Sequence, residues 1–82
     1  MVDKALFEIQ AHLGALKEYG NGWRKELNIV SWNGAEPKFD IRDWDPEYQQ
    51  MTRGITLTEV EAMKLCIMLM KVFMKEAEDE EC

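Results

Sequence analysis

Trp23-Arg24-Lys25-Glu26-Leu27-Asn28-Ile29-Val30-Ser31-Trp32-Asn33-Gly34-Ala35-Glu36-Pro37-Lys38-Phe39-Asp40-Ile41-Arg42-Asp43-Trp44 decides the fold of this chain. In a strand, alternate residues point to opposite faces. Leu27 and Ile29 therefore lie on one side, and Arg24, Glu26, Asn28, Val30 and Trp32 on the other. Asn33-Gly34 is a hairpin-type turn signal, and after it the alternation resumes. Phe39 and Ile41 form an apolar side, opposed by Lys38, Asp40, Arg42 and Trp44. The mixed side is expected to face solvent, as one face of an antiparallel sheet commonly does. Two tryptophans share it with cations. Indole rings are flat surfaces on which any base can stack, at roughly 1 to 3 kcal/mol per base, while Lys and Arg hold phosphates. The bland alternative is that Trp32 and Trp44 cap a sheet edge or pack under a loop.

Toward the N-terminus, Phe7, Ile9, Ala11 and Leu13 alternate with Glu8, Gln10 and His12, which predicts a first strand with one buried face, running on toward Leu16. The Lys17-Glu18-Tyr19-Gly20-Asn21-Gly22 segment, with two glycines and an asparagine, predicts the turn or short loop to the strand beginning near Trp23. Trp23, in phase with Leu27, reads as packing. His12 falls on the polar face and has no Ser, Cys or acid constellation around it, so it reads as a surface residue lining the groove. Toward the C-terminus, Asp45-Pro46-Glu47-Tyr48 begins a polar loop. That loop is placed to fold over the groove, with Tyr48 as a third stacking ring or as an anchor. Arg53-Gly54 leads into a short strand, Ile55-Thr56-Leu57. Thr58 with Glu61 three residues on makes a capping box that starts a helix. From Met63 to Met74 that helix is apolar around most of its circumference, so a second buried face is required. The Lys/Arg richness of membrane-surface helices is missing from its polar positions.

Composition bounds the function. Eighty-two residues make one small domain, for which association would add buried surface. No apolar run approaches the roughly 20 residues of a membrane span, and Met1-Val2-Asp3-Lys4 is not a signal-peptide start, so a cytoplasmic location is the default expectation. Cys66 and Cys82 form neither a disulfide framework nor a metal motif. The net charge of −6 opposes generic nucleic-acid binding, yet from residue 56 onward three lysines stand against seven acids. Residues 20–55, with five cations and six acids, are close to neutral, so a local basic groove needs Arg24, Lys25, Lys38, Arg42 and Arg53 to converge. Asp40, Asp43 and Asp45 raise a metal-dependent enzyme as an alternative, but strand parity puts Asp40 and Asp43 on opposite faces. Asp40 is expected to pair with Arg42 instead. No catalytic, metal or cofactor site is expected.

Ser31-Trp32-Asn33-Gly34, the run from Pro37 through Asp40-Ile41-Arg42 to Trp44, and Arg53-Gly54-Ile55-Thr56-Leu57-Thr58 followed by a helix closely resemble the transcriptional coactivator family of positive cofactor four (PC4-like), nearest its small bacterial YdbC-type members. The resemblance spans about residues 5 to 75. It implies an α+β fold, a four-stranded curved antiparallel sheet followed by one long C-terminal helix (β-β-β-β-α), that forms a homodimer and binds single-stranded DNA in a groove. On this reading residues 1–76 form the binding domain and residues 77–82 an acidic tail. Trp32 and Trp44 stack bases, Arg24, Lys25, Lys38, Arg42 and Arg53 supply positive charge to phosphates, and Asn28 hydrogen-bonds backbone or base edges. RNA is a variant of the same chemistry, and transcription, replication or repair proteins are the implied company. Asn33-Gly34-Ala35-Glu36 stands where the family usually carries lysines and arginines, which implies fewer contacts at that edge. The competing reading is a dimeric adaptor whose aromatic groove binds protein.

Overall fold

The computed structural model describes residues 6–80, with side chains through residue 75. The expectations placed on Met1 to Lys4 and on Cys82 lie outside these residues. Four strands, β1 (Phe7–Glu18), β2 (Arg24–Trp32), β3 (Lys38–Trp44) and β4 (Ile55–Leu57), precede one helix, α1 (Glu59–Glu80). The strands form one antiparallel sheet in the order β1-β2-β3-β4. The β-β-β-β-α architecture is the one the sequence predicts.

The β2–β3 hairpin turns at Asn33 and Gly34, both left-handed with φ of 53° and 76°. The Ala35 N–H donates to the Trp32 carbonyl at 2.9 Å, and the Ser31 hydroxyl donates to the Ala35 carbonyl at 2.6 Å. Asn and Gly tolerate positive φ, which is why this pair sits here. The register pairs Glu26 with Arg42, Asn28 with Asp40 and Leu27 with Ile41, so the parity read from the sequence holds.

The dry and wet sides are the reverse of the expectation. Val30, Asn28, Asp40, Glu26 and Trp44, all on the mixed face, are buried, whereas Leu27, Ile29, Phe39 and Ile41 on the apolar face are only half-buried. Curvature causes this. β1 carries three register shifts against β2, between Ile9 and Ala11, His12 and Gly14, and Ala15 and Lys17. Each such irregularity bends a strand and increases its twist. The bent β1 and the loop after β3 close over the mixed face. The simple alternation predicted for β1 is broken by the same shifts: Phe7 and Ile9 lie with Trp32 and Val30, while Ala11 pairs with Ile29 on the other face. Leu13 and Leu16 are exposed.

α1 starts at the predicted capping box, in which the Glu61 N–H donates to Thr58 Oγ1 at 3.2 Å and the Thr58 N–H to Glu61 Oε1 at 2.9 Å. The helix approaches only β3 and β4. Between it and the sheet lies an open apolar groove of about 570 Å³, lined by Leu27, Phe39, Ile41 and Leu57 on one side and Met63, Cys66 and Phe73 on the other. Ten large apolar side chains of α1 are exposed, Phe73 at 62%. The radius of gyration is 15.7 Å, against about 12 Å for a compact domain of this length. The single chain therefore leaves its principal apolar surface uncovered.

Candidate nucleic-acid interface

The mixed face carries a row of rings assembled from three strands and a loop. Phe7 of β1 lies 5.8 Å from Trp32 and 5.1 Å from Trp44, centroid to centroid. Trp44 lies 5.7 Å from Tyr48, and Tyr48 lies 5.1 Å from His12. All four pairs are tilted, within the spacing at which aromatic quadrupoles attract. Tyr48 joins this row as the sequence reading anticipated, whereas Phe7 was not anticipated; its position opposite Trp32 emerges only from the β1 register.

Arg42 locks one end of the row. Its Nε and Nη2 donate to the two Asp40 oxygens at 2.6 and 2.8 Å, and Nη1 donates to the Thr52 carbonyl at 3.3 Å. Thr56 Oγ1 donates to Asp40 Oδ2 at 3.0 Å. The guanidinium lies 4.6 Å from the Trp32 ring centroid, a cation–π contact. Asp40 is fully buried, and its fork-to-fork pair with Arg42 is the expected lateral pair. Gly54 closes the arrangement, because a Cβ there would overlap Arg42 Cβ and the Ile41 carbonyl oxygen.

Glu26 organises the other end. It is almost fully buried and accepts from Tyr48 Oη at 2.7 Å and Asn28 Nδ2 at 3.0 Å, with His12 Nδ1 at 3.5 Å and Arg24 Nε at 3.4 Å. Burial alone pushes its pKa up, but the hydrogen bonds from Asn28 and Tyr48 and the Arg24 charge outweigh it and hold the carboxyl below its usual 4.5. The same bond to Glu26, assisted by burial, pushes the Tyr48 hydroxyl above its usual 10.0.

The loop holding Tyr48 is a self-contained unit. Asp45 Oδ1 accepts from the N–H groups of Gln50 at 2.6 Å and Gln49 at 2.7 Å, and Oδ2 accepts from Glu47 N–H at 3.3 Å. These donors, Gln50 first, lower the Asp45 pKa. Tyr48 itself is left-handed, with φ of 60°, a conformation that costs a non-glycine residue roughly 1–2 kcal/mol.

The structure places the predicted contact residues unequally. Trp32 is half-exposed on the mixed face, flanked by Arg42, with Lys38 exposed on the same face. Arg24 is exposed beside Glu26. Trp44 and Asn28 share that face but are covered, at 1% and 0% exposure. Lys25 lies on the opposite face with Leu27 and Asp43, so it does not converge with Arg24, Lys38 and Arg42. Arg53 is exposed just before β4 and outside the ladder. Asp40, Asp43 and Asp45 do not come together: Asp40 holds Arg42, Asp43 accepts from Tyr19 Oη at 3.2 Å, and Asp45 ties its own loop. Among the described residues no group of three or more His, Cys, Asp or Glu is placed to hold a metal. No helix among them is long and apolar enough to cross a membrane.

Comparison with known proteins bears on this site directly. The sequence profile of the family described as Transcriptional Coactivator p15 (PC4) matches residues 20–68, from the start of the β1–β2 turn into α1. An uncharacterized protein of Treponema pallidum (strain Nichols) is 44% identical over 59 residues, covering 72% of this chain and 69% of that protein. The matched residues contain β2, β3, β4 and the Asp40–Arg42 lock, and the chain belongs to the transcriptional coactivator p15 (PC4) family.

Proposed function

We propose that this protein binds single-stranded DNA with little sequence preference, as a homodimer, on the aromatic face of its curved sheet. The observation that carries the reading is the row of Trp32, Phe7, Trp44, Tyr48 and His12 lying across one face, with Arg42 stacked on the exposed end. Trp32 is the first base platform. Lys38, Arg24 and Arg53 take phosphates, and Arg42, neutralised by Asp40, chiefly fixes the Trp32 ring. Trp44 and Asn28 act from beneath, once the loop over them moves. With few free cations, stacking outweighs counterion release. Dimerisation follows from α1, whose exposed apolar surface needs a partner, and a second copy supplies one of matching character. The protein would serve transcription, replication or repair as a non-enzymatic binding module, with RNA as a secondary ligand.

Tryptophan fluorescence titrated with an oligo-dT of about 20 nucleotides and with the matching duplex tests this. Quenching by the single strand alone, largely lost in Trp32→Ala, is the expected result. Indifference to both nucleic acids sinks the proposal and moves the protein-binding adaptor ahead of it.

A further inference from the structure

The stacking row accounts for the rings on the mixed face but not for what lies beneath them. A platform that reads no sequence needs only flat surfaces and nearby cations. This face instead has a buried carboxylate at one end of the row, Glu26, and beside it Asn28, fully buried, whose Oδ1 has no protein partner. The buried indole N–H groups of Trp44 and of Trp32, farther along the row, have none either. Buried polar atoms without partners are costly in a fold this small. They mark a place where something other than the resting protein completes the bonding.

Tyr48 covers that place in a particular way. Its ring makes tilted contacts with both His12 and Trp44, at interplanar angles of 60° and 47°, and its hydroxyl donates a hydrogen bond to Glu26 Oε2. A planar ring in contact with two others, with a donor at its edge aimed at a carboxylate, occupies space of the size and polarity that suit a nucleobase. Tyr48 also holds a left-handed backbone that a side chain of its kind rarely adopts, and such strain concentrates at switch regions. The loop carrying it is braced internally by Asp45 and joined to β3 through the Trp44–Met51 bridge and Thr52, so its own bonds do not depend on the seat of the Tyr48 ring.

We propose that Tyr48 occupies a nucleobase slot, and that a base with adjacent N–H donors on its Watson–Crick edge, guanine above all, displaces it, packing against His12 and Trp44 and donating to Glu26. Guanine offers two neighbouring donors, N1–H and N2–H, to a carboxylate with two oxygens; thymine offers one, and adenine and cytosine offer only an exocyclic amine. Asn28 Oδ1 is a further acceptor for that amine. Bonds to a charged acceptor are the stronger kind, so the slot adds one base-reading position to a strand otherwise held by stacking. This rests on the single-strand reading above and assigns that site a preferred base and a gate.

The test compares oligo-dT of about 20 nucleotides with the same oligomer carrying one central dG, on the wild type, Tyr48→Gly, Tyr48→Phe and Glu26→Gln, with far-ultraviolet circular dichroism checking each fold. The wild type is expected to prefer the dG oligomer by about threefold, because displacing Tyr48 offsets part of the gain. Tyr48→Gly, which removes the ring and relieves the backbone, raises the preference to about tenfold. Tyr48→Phe keeps the ring and loses the Glu26 bond, giving an intermediate value and an independent reading if the glycine variant does not fold. Glu26→Gln abolishes the preference. Wild-type binding to oligo-dT with no dG preference in any variant overturns the slot and leaves the single-strand reading standing. Equal weakening of both oligomers by Tyr48→Gly also overturns it, since Tyr48 would then be a fixed stacking ring. No binding of either oligomer by the wild type removes both readings.

Discussion

Phe73→Ala gives the sharpest reading of the uncovered helix. Fully burying a phenylalanine side chain stabilises by about 2.5 kcal/mol, and Phe73 is 62% exposed in the single chain, so covering the remainder contributes about 1.5 kcal/mol per protomer. A two-fold dimer loses that contribution twice, about 3 kcal/mol, which raises its dissociation constant roughly 150-fold. Sedimentation equilibrium over a wide concentration range measures it. The wild type should sediment as a dimer, and Phe73→Ala should show a monomer–dimer equilibrium at concentrations where the wild type shows none. Because Phe73 lines a groove beside Leu57 and Phe39 that the monomer leaves open, its truncation should affect the fold of the sheet little. A monomeric wild type, or a variant that dimerises as tightly as the parent, refutes the reasoning.

Three further outcomes follow from the site. Gly54→Ala forces a methyl group against Arg42 Cβ and the Ile41 carbonyl, and overpacking of that kind costs about 1–3 kcal/mol, read as a lower urea midpoint. Asp40→Asn removes the anionic partner of a nearly buried Arg42 and should destabilise by about 3 kcal/mol, with a change in Trp32 fluorescence as the guanidinium loses its hold. Glu26 has a folded pKa below its unfolded value of 4.5, so its stabilisation is complete above that pH and is lost as pH falls through the folded value. Glu26→Gln should flatten the acid limb of the stability profile between pH 5 and the folded pKa, checked by urea melts across that range.

Local signals in the sequence carried far into the fold. Asn33-Gly34 named its turn because only residues tolerating positive φ fit there, and Thr58 with Glu61 named the helix start because a capping box is complete within four residues. The parity of β2 and β3 was legible for the same reason: period two needs no tertiary information. What alternation could not show was the β1 register, since each inserted residue reverses which side chains face the core. The burial of Glu26, Asn28 and Asp40 was equally hidden. Polar residues are expected outside, and these are buried only because partners from distant segments, Tyr48 and Thr56 among them, satisfy them. The site was therefore half legible. Trp32, Lys38 and Arg24 stand on the expected face within reach of solvent; Trp44 and Asn28 stand on it but beneath a loop, and Lys25 stands on the other.

The most direct test of the account is the ¹⁵N–¹H spectrum of the indole groups during titration with oligo-dT. The Trp32 indole signal should shift strongly, Trp23, outside the aromatic row, should stay in place, and added duplex should move neither. Shifts confined to α1, or none at all, would contradict binding on the aromatic face of the sheet.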